Sequence, residues 1–382
     1  MIPISVINLL HTADVHLDAP NRSLGGRATG LRERTWAAWE RIIEEALERG
    51  VQLVIIAGDI FDCRSPGADT VERALGGIRR LAQATPRIDI VLLPGTHDCW
   101  AEGSLWDSPR ITGLPDRVHV LRGPEARSVE IPHLDLAVHG CAHRCDIRGQ
   151  RPICELRASP GAKINVGVAH GSWERGDVDD SGSAFSDAEI EASGLDYLAL
   201  GHWHSFFEIP ADGVTAVNPG SPEVPGFGDW QRGSVALVTL GDGPARVQRI
   251  EVGGLRSEIL EIDAGDLGGT EDLVSAIEER VDRDLLLEVR LTGLAAPGVV
   301  IDADALTERL DDACFALRIR DGSHPALDRL DAAELDTRLT LGKFVELARE
   351  RIEAADDEAE RRVAERALQI GVSMLRREGA GR

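Results

Sequence analysis

At 382 residues the chain is long enough for two or three domains with sizeable cores. No apolar run reaches the roughly 18–20 residues that a membrane-spanning helix needs, so no membrane partner is expected. The formal net charge is −23, with 24 basic and 34 acidic residues in 1–250 and 18 and 31 in 251–382. That balance excludes a protein that holds nucleic acid by bulk charge alone, because phosphate backbones are gripped mainly by basic patches.

The predicted elements run in a regular order. Ser5–Leu10 is an apolar run that reads as a buried strand, and it leads into His11-Thr12-Ala13-Asp14-Val15-His16. Trp36, Trp39, Ile43, Ala46 and Leu47 recur at helical spacing, which predicts an amphipathic helix over Leu31–Arg49. Val51–Ala57 is a second strand, stopped by Gly58-Asp59-Ile60-Phe61-Asp62. A helix follows over Val71–Ala84, and Ile88–Leu93 is a third strand, stopped by Pro94-Gly95-Thr96-His97-Asp98. Strand, helix, strand, helix, strand implies right-handed βαβ units and a largely parallel sheet. Leu134–His139, Ile164–Ala169, Leu195–Leu200, Val235–Leu240 and Val247–Val252 are further strand-like runs with little helix between some of them, which predicts a second sheet packed on the first.

Gly253-Gly254 marks a boundary. Residues 1–254 form the expected first domain and 255–338 a small α/β domain, with strands near Leu285–Leu291 and Cys314–Ile319. Residues 339–382 read as helical. Phe344, Leu347, Ala348 and Ile352 line one face, and Val363, Ala367, Leu368, Gly371, Met374 and Leu375 line another; Asp356-Asp357 is placed to cap the second helix.

Asp14, Asp59, His97, His170 and His202 each fall just past a predicted strand, where ligand sites of α/β sheets collect. Each segment alone has a plain structural reading. Asp14 and His16 suit a capped turn, Gly58-Asp59 a common turn, and His170 a satisfied core histidine. Gly201-His202-Trp203-His204 is stronger, since two histidines one residue apart commonly serve metals. Five such segments in this order describe two divalent metals held by carboxylate oxygens and imidazole nitrogens, an arrangement that clamps a phosphate and activates water.

In these strings the chain resembles the calcineurin-like metallophosphoesterases, whose ordered motifs are DxH, GDxxD, GNH(D/E), H and GHxH. The resemblance implies two mixed sheets flanked by helices. It implies a first metal held by Asp14, His16, Asp59 and His204, and a second held by Asp59, Thr96, His170 and His202, with Asp59 bridging. His97 would sit over the scissile phosphate as general acid or electrostatic stabiliser, oriented by Asp98. Thr96 departs from the family's Asn, and a hydroxyl is a weaker ligand than an amide carbonyl.

The strings around Asp14 and Asp59, with Asn218-Pro219-Gly220-Ser221-Pro222-Glu223, resemble the SbcD-type DNA repair nucleases, in particular a YhaO-like bacterial branch. That resemblance implies manganese, with iron, zinc and magnesium also compatible. It further implies DNA as substrate, an exonuclease activity, an SbcC-type ATPase docked on the C-terminal helices, and room for a homodimer. A phosphodiesterase or phosphatase for nucleotides and other small phosphoesters is the first alternative. A non-catalytic DNA-end or ATPase scaffold is the second.

The six cysteines, Cys63, Cys99, Cys141, Cys145, Cys154 and Cys314, include no CxxC pair, and reduced thiols are expected. Met1-Ile2-Pro3-Ile4 has no charged n-region, so no signal peptide is expected and the cytoplasm is the expected compartment. Cys141, His143, Cys145 and Cys154 match no common zinc spacing. Trp173, Phe185, Phe206, Phe207, Phe227 and Trp230 read as packing residues rather than base-stacking platforms.

Overall fold

The computed structural model describes residues 6–174, 183–228, 230–295, 301–310, 312–323, 340–355 and 357–379. The chain divides into two compact units, Met1–Gly226 with Trp230–Arg256, and Phe227–Asp229 with Ser257–Arg382.

The first unit is built on two six-stranded mixed sheets. In one, Ile7–Thr12, Leu53–Ala57, Asp89–Leu93 and Val118–Val120 run parallel in that order, and Ser234–Gly241 then Gly243–Glu251 join antiparallel beside Ile7–Thr12. In the other, Leu136–Gly140, Ile164–His170, Tyr197–Gly201 and Val214–Pro219 run parallel. Arg127–Ile131 and Phe206–Ala211 close its two edges antiparallel.

Side chains alternate faces along a strand, and this partitions the core. Leu9, Leu53, Ile55 and Val91 meet Val138, Val166, Val168 and Val217 between the sheets. Their neighbours Leu10, Val54, Ile56 and Ile90 face the other way, against Trp39 and Ile43 of the helix Ala28–Glu48 and Leu75 and Ile78 of the helix Ala68–Ala82. Leu198, Leu200 and Ala216 of the second sheet pack outward against Ile190 of the helix Asp187–Ser193. Central strands are thus buried on both faces, which is why they read as unbroken apolar runs. Each fully buried Leu, Ile or Val contributes about 1.5–3 kcal/mol of transfer free energy.

Some boundaries differ from expectation. The first strand is Ile7–Thr12 rather than Ser5–Leu10, and Ser5 lies outside the described residues. Pro132–Leu134 is a 3-10 turn, so the strand expected from Leu134 begins at Leu136. Proline cannot donate to a ladder, and Asp135 is left-handed at φ 51°. The strands Arg127–Ile131, Phe206–Ala211 and Val214–Pro219 were not expected.

The second unit holds a three-stranded sheet ordered Arg256–Asp263, Leu285–Thr292, Ala316–Asp321. Leu273, Val274 and Ile277 of the helix Thr270–Glu278, and Leu306 and Leu310 of the helix Ala303–Leu310, cover Leu285, Leu287 and Val289. The helices Thr340–Glu353 and Glu358–Gly379 pack on each other so closely that a Cβ on Gly371 would lie 2.1 Å from the Phe344 ring. Asp357 caps the second by accepting the Glu360 N–H at 2.8 Å; Asp356 lies outside the described residues. The expected division between 255–338 and 339–382 falls in 324–339, also outside them. Among the described residues no helix is long and apolar enough to cross a membrane.

Candidate metal centre

The parallel strands of both sheets end at one place. Asp14 and His16 follow Ile7–Thr12, Asp59 follows Leu53–Ala57, and Thr96 and His97 follow Asp89–Leu93. His170 ends one strand of the second sheet, and His202 and His204 follow another. The backbone turns sharply to present these groups. Asp14 (φ 53°), His16 (φ 50°), Asp59 (φ 53°) and His202 (φ 107°) all have positive φ. Non-glycine residues rarely adopt this region, and such strain gathers at functional sites. Two glycines allow the close approach. A Cβ on Gly58 would stand 2.2 Å from His170 Nδ1, and one on Gly95 would stand 2.2 Å from Asp59 Oδ1.

Hydrogen bonds aim the ligand atoms. His16 Nδ1 pairs with Asp62 Oδ1 at 3.0 Å, and His170 Nδ1 donates to the Ala57 carbonyl at 2.8 Å. Each ring therefore presents Nε2 inward. His16 Nε2 is buried without a hydrogen-bond partner, 3.8 Å from Asp59 Oδ2 and 3.9 Å from Asp14 Oδ1. His170 Nε2 lies 3.2 Å from Asp59 Oδ2 and 4.0 Å from Asp14 Oδ1. Asp14 accepts the His202 N–H at 2.9 Å; Asp59 accepts the His97 N–H at 2.8 Å and the Thr96 hydroxyl at 3.0 Å. Ligand atoms of Asp14, His16 and His204 converge within 4.8 Å, as do those of Asp14, Asp59 and His170, and those of His16, Asp59 and His97. His202 joins none of these three groups, but its ring centroid is 5.4 Å from that of His170.

The electrostatics call for cations. Burial pushes the Asp14 carboxyl up to about 6; His170 opposes this and the Asp59 charge adds to it. Burial also works against a charged His170, but Asp59 and Asp14 outweigh it and hold the ring at about 10. Asp59 is buried too, yet His170 and His16 keep its carboxyl well below the usual range. Burial, with neighbouring imidazoles, lowers His202 to about 4 and His204 to about 3, leaving neutral rings with lone pairs free at pH 7. Buried carboxylates, neutral imidazoles and an orphaned Nε2 fit two divalent ions.

Two sequence expectations need correction. Asp98 does not reach the His97 ring in the contacts described. Its buried carboxylate accepts the Gly95 N–H at 2.8 Å and the Phe61 N–H at 3.2 Å, so it shapes the loop that carries Thr96 and His97. The His97 ring meets Asp62 instead, with Nδ1 3.2 Å from its carbonyl and 3.4 Å from Oδ1. That hydrogen bond raises the His97 imidazolium to about 9 against the opposing effect of burial. The last Asp of GDxxD was the available signal. Second, the thiols are not all reduced, because Cys99 and Cys145 form a disulfide. Reciprocal backbone bonds, from Trp100 N–H to the His143 carbonyl (2.8 Å) and from Cys145 N–H to the Trp100 carbonyl (3.1 Å), bring their loops together.

Asn218 holds the turn that carries His202 and His204. Its amide donates to the carbonyls of Trp203 (2.5 Å) and Ser205 (2.9 Å). Of the flanking aromatics, Phe185 is buried, and Trp173 stacks on Phe207 with centroids 6.2 Å apart. Trp203, between the two histidines, is 49% exposed.

Thr96 lies beside Asp59 and His170, its hydroxyl 3.3 Å from His170 Nε2. Thr96→Asn offers an amide carbonyl there. Activity of the variant is expected to saturate at lower manganese concentration, measured by metal titration; an unchanged or higher requirement contradicts a ligand role at this position.

The profile of the calcineurin-like phosphoesterases matches residues 7–206. The chain is 24% identical over 224 residues to the uncharacterized metallophosphoesterase YhaO of Bacillus subtilis, covering 57% of this chain and 53% of that one. It is 23% identical over 284 residues to the DNA double-strand break repair protein Mre11 of Sulfurisphaera tokodaii, covering 69% and 67%. It is 30% identical over 122 residues to the SbcD component of the SbcCD nuclease of Rhodobacter capsulatus, covering 31% and 28%. The chain thus spans about half the length of the Bacillus relative.

Proposed function

We propose that this chain, which belongs to the calcineurin-like phosphoesterases, is a two-metal phosphodiesterase that acts on DNA with manganese, as an exonuclease. The observation that carries the reading is the placement of Asp59, whose carboxylate lies against both His16 and His170 and so can serve two ions at once. Asp14, His16, Asp59 and His204 would hold one ion, and Asp59, Thr96, His170 and His202 the other. Bound there, the ions would supply Lewis acidity and a water acidified toward neutral pH. His97, kept protonated by Asp62, would stabilise the charge on phosphorus oxygens and give its proton to the leaving oxygen. Asp98 and Asn218 fix the loops that carry these groups.

DNA as the substrate is supported by the named activities of the Mre11 and SbcCD relatives and by Trp203, an exposed indole between two ligand histidines on which a base can stack. The acidic chain lacks the charge to hold long DNA itself, which favours an SbcC-type ATPase as partner. Leu347, Val363 and Met374 on the C-terminal helices remain 53%, 70% and 56% exposed, an apolar surface suited to docking. The test pairs a labelled duplex with a small aryl phosphodiester. Wild-type protein with the partner is expected to cleave both. Leu347→Glu with Val363→Glu is expected to lose the partner in pull-down and most duplex cleavage while small-diester turnover persists. Duplex cleavage undiminished in that variant contradicts docking, and no diester turnover in wild type contradicts the enzymatic reading.

A further inference from the structure

Of the six cysteines four are free, and the one bonded pair borders the ligand cluster. Cys99 follows Asp98, two residues past His97, and Cys145 lies on the segment that leaves the strand Leu136–Gly140. The loop 94–100 is held from two sides. On one side the Asp59 carboxylate accepts the His97 N–H, and Asp98 accepts the Gly95 N–H. On the other the His143 N–H donates to the Pro94 carbonyl at 3.1 Å, Trp100 pairs with His143 and Cys145, and the disulfide adds a covalent link. The segment around Cys145 leads on to the ligands of the second sheet. The Gln150 side chain accepts the Arg144 N–H at 3.0 Å and donates to the Ala142 carbonyl at 2.7 Å. Its backbone carbonyl accepts the Ala184 N–H at 3.1 Å, and the Ser183 hydroxyl next to it donates to the His170 carbonyl at 3.2 Å. The bond thus ties the loop bearing Thr96 and His97, from one sheet, to a segment anchored at His170, from the other.

We propose that the Cys99–Cys145 bond is a redox-operated clamp on this loop: closed, it holds His97 in its working position, and opened by a dithiol it frees the loop and slows the reaction. The inference rests on the reading of the chain as a phosphodiesterase. Two observations mark the bond as a switch and not a staple of the fold. Two packed six-stranded sheets give this unit a large core, whereas domains that need disulfides to fold are small. Cys99 is buried but Cys145 only half-buried, which makes Cys145 the approachable end of the bond. A thiolate of the dithiol bonds to Cys145 Sγ, the S–S bond breaks, and the Cys99 sulfur leaves with the electron pair and takes up a proton. The second thiol of the reagent then displaces Cys145, so that two protein thiols form and the reagent becomes a disulfide. Without the covalent link only hydrogen bonds hold the far side of the loop, and a shift of ~1 Å in a reacting group can cost up to ~10²-fold in rate.

The experiment compares the full chain in its oxidised form with the same protein after dithiothreitol treatment, the reagent being removed by anaerobic desalting. Thiols counted in denaturant are expected to rise from four to six per chain. At saturating manganese, kcat for an aryl phosphodiester is expected to fall about tenfold with KM little changed, and to recover on reoxidation with diamide. Amide hydrogen exchange over residues 94–100 should quicken in the reduced form. Cys99→Ser combined with Cys145→Ser should match reduced wild type in either state, and Cys154→Ser, at an exposed free cysteine, should respond as wild type does. A reduced form with unchanged kcat overturns the proposal, whatever its melting temperature. So does a bond that dithiothreitol leaves intact, or a response that survives in the double variant. Quickened exchange on reduction, without turnover in either state, upholds the clamp on the loop and overturns the phosphodiesterase reading beneath it.

Discussion

Asp59→Asn is expected to reduce the metal content from about two ions per chain toward one or none and to take hydrolysis below detection. The change is nearly isosteric and removes one negative charge. Asp59 is the carboxylate that the structure sets within 3.2 Å of His170 Nε2 and 3.8 Å of His16 Nε2, so its charge reaches both halves of the cluster. An asparagine keeps one carbonyl oxygen, enough for the His97 N–H or the Thr96 hydroxyl but not for both together with a cation. Elemental analysis of dialysed protein and turnover of an aryl phosphodiester are the two measurements. A variant that keeps two ions removes Asp59 from the bridging position.

His97→Ala separates chemistry from metal binding. It is expected to keep both ions and to lose roughly 10²–10⁴-fold in kcat, the usual contribution of a general acid. Loss of metal instead would place His97 among the ligands, in line with its convergence with His16 and Asp59. The companion change, Asp62→Asn, gives a pH signature. The Asp62 hydrogen bond raises the His97 pKa to about 9, so the acid form is present below that pH and is lost as pH rises through it. Without the carboxylate the pKa falls toward the ordinary imidazole value of ~6.5, and the alkaline limb of kcat moves to lower pH. A limb that stays in place contradicts the role of Asp62.

The sequence made the buried architecture readable because burial on both faces leaves a strand such as Leu53–Ala57 no polar position, and Ile164–His170 only Asn165 ahead of its terminal histidine. Half-exposed strands had no such signature. Arg127–Ile131 buries only Ile131, and Phe206–Ala211 buries only Ile209, so neither shows an apolar run. The candidate ligands were legible because each sits at the foot of an apolar run, with glycine beside several of them. Their hydrogen-bonding partners were not. Asp62 meets His97 across 35 residues, and Asp98, the nearer acid, turns to backbone amides that no periodicity reveals. The Cys99–Cys145 pair was equally hidden, since 46 residues separate its members and only the folded loops align them.

The bond from the His202 N–H to Asp14 joins residues 188 positions apart and bridges the two sheets. Closing so long a loop carries an entropic cost that is recovered only after both sheets have formed and stacked. Neither sheet alone contains a full set of candidate ligands. Along the folding path the cluster is therefore among the last features assembled, and tight ion uptake by a refolding chain reports completion of the whole first unit, not of any strand or helix within it.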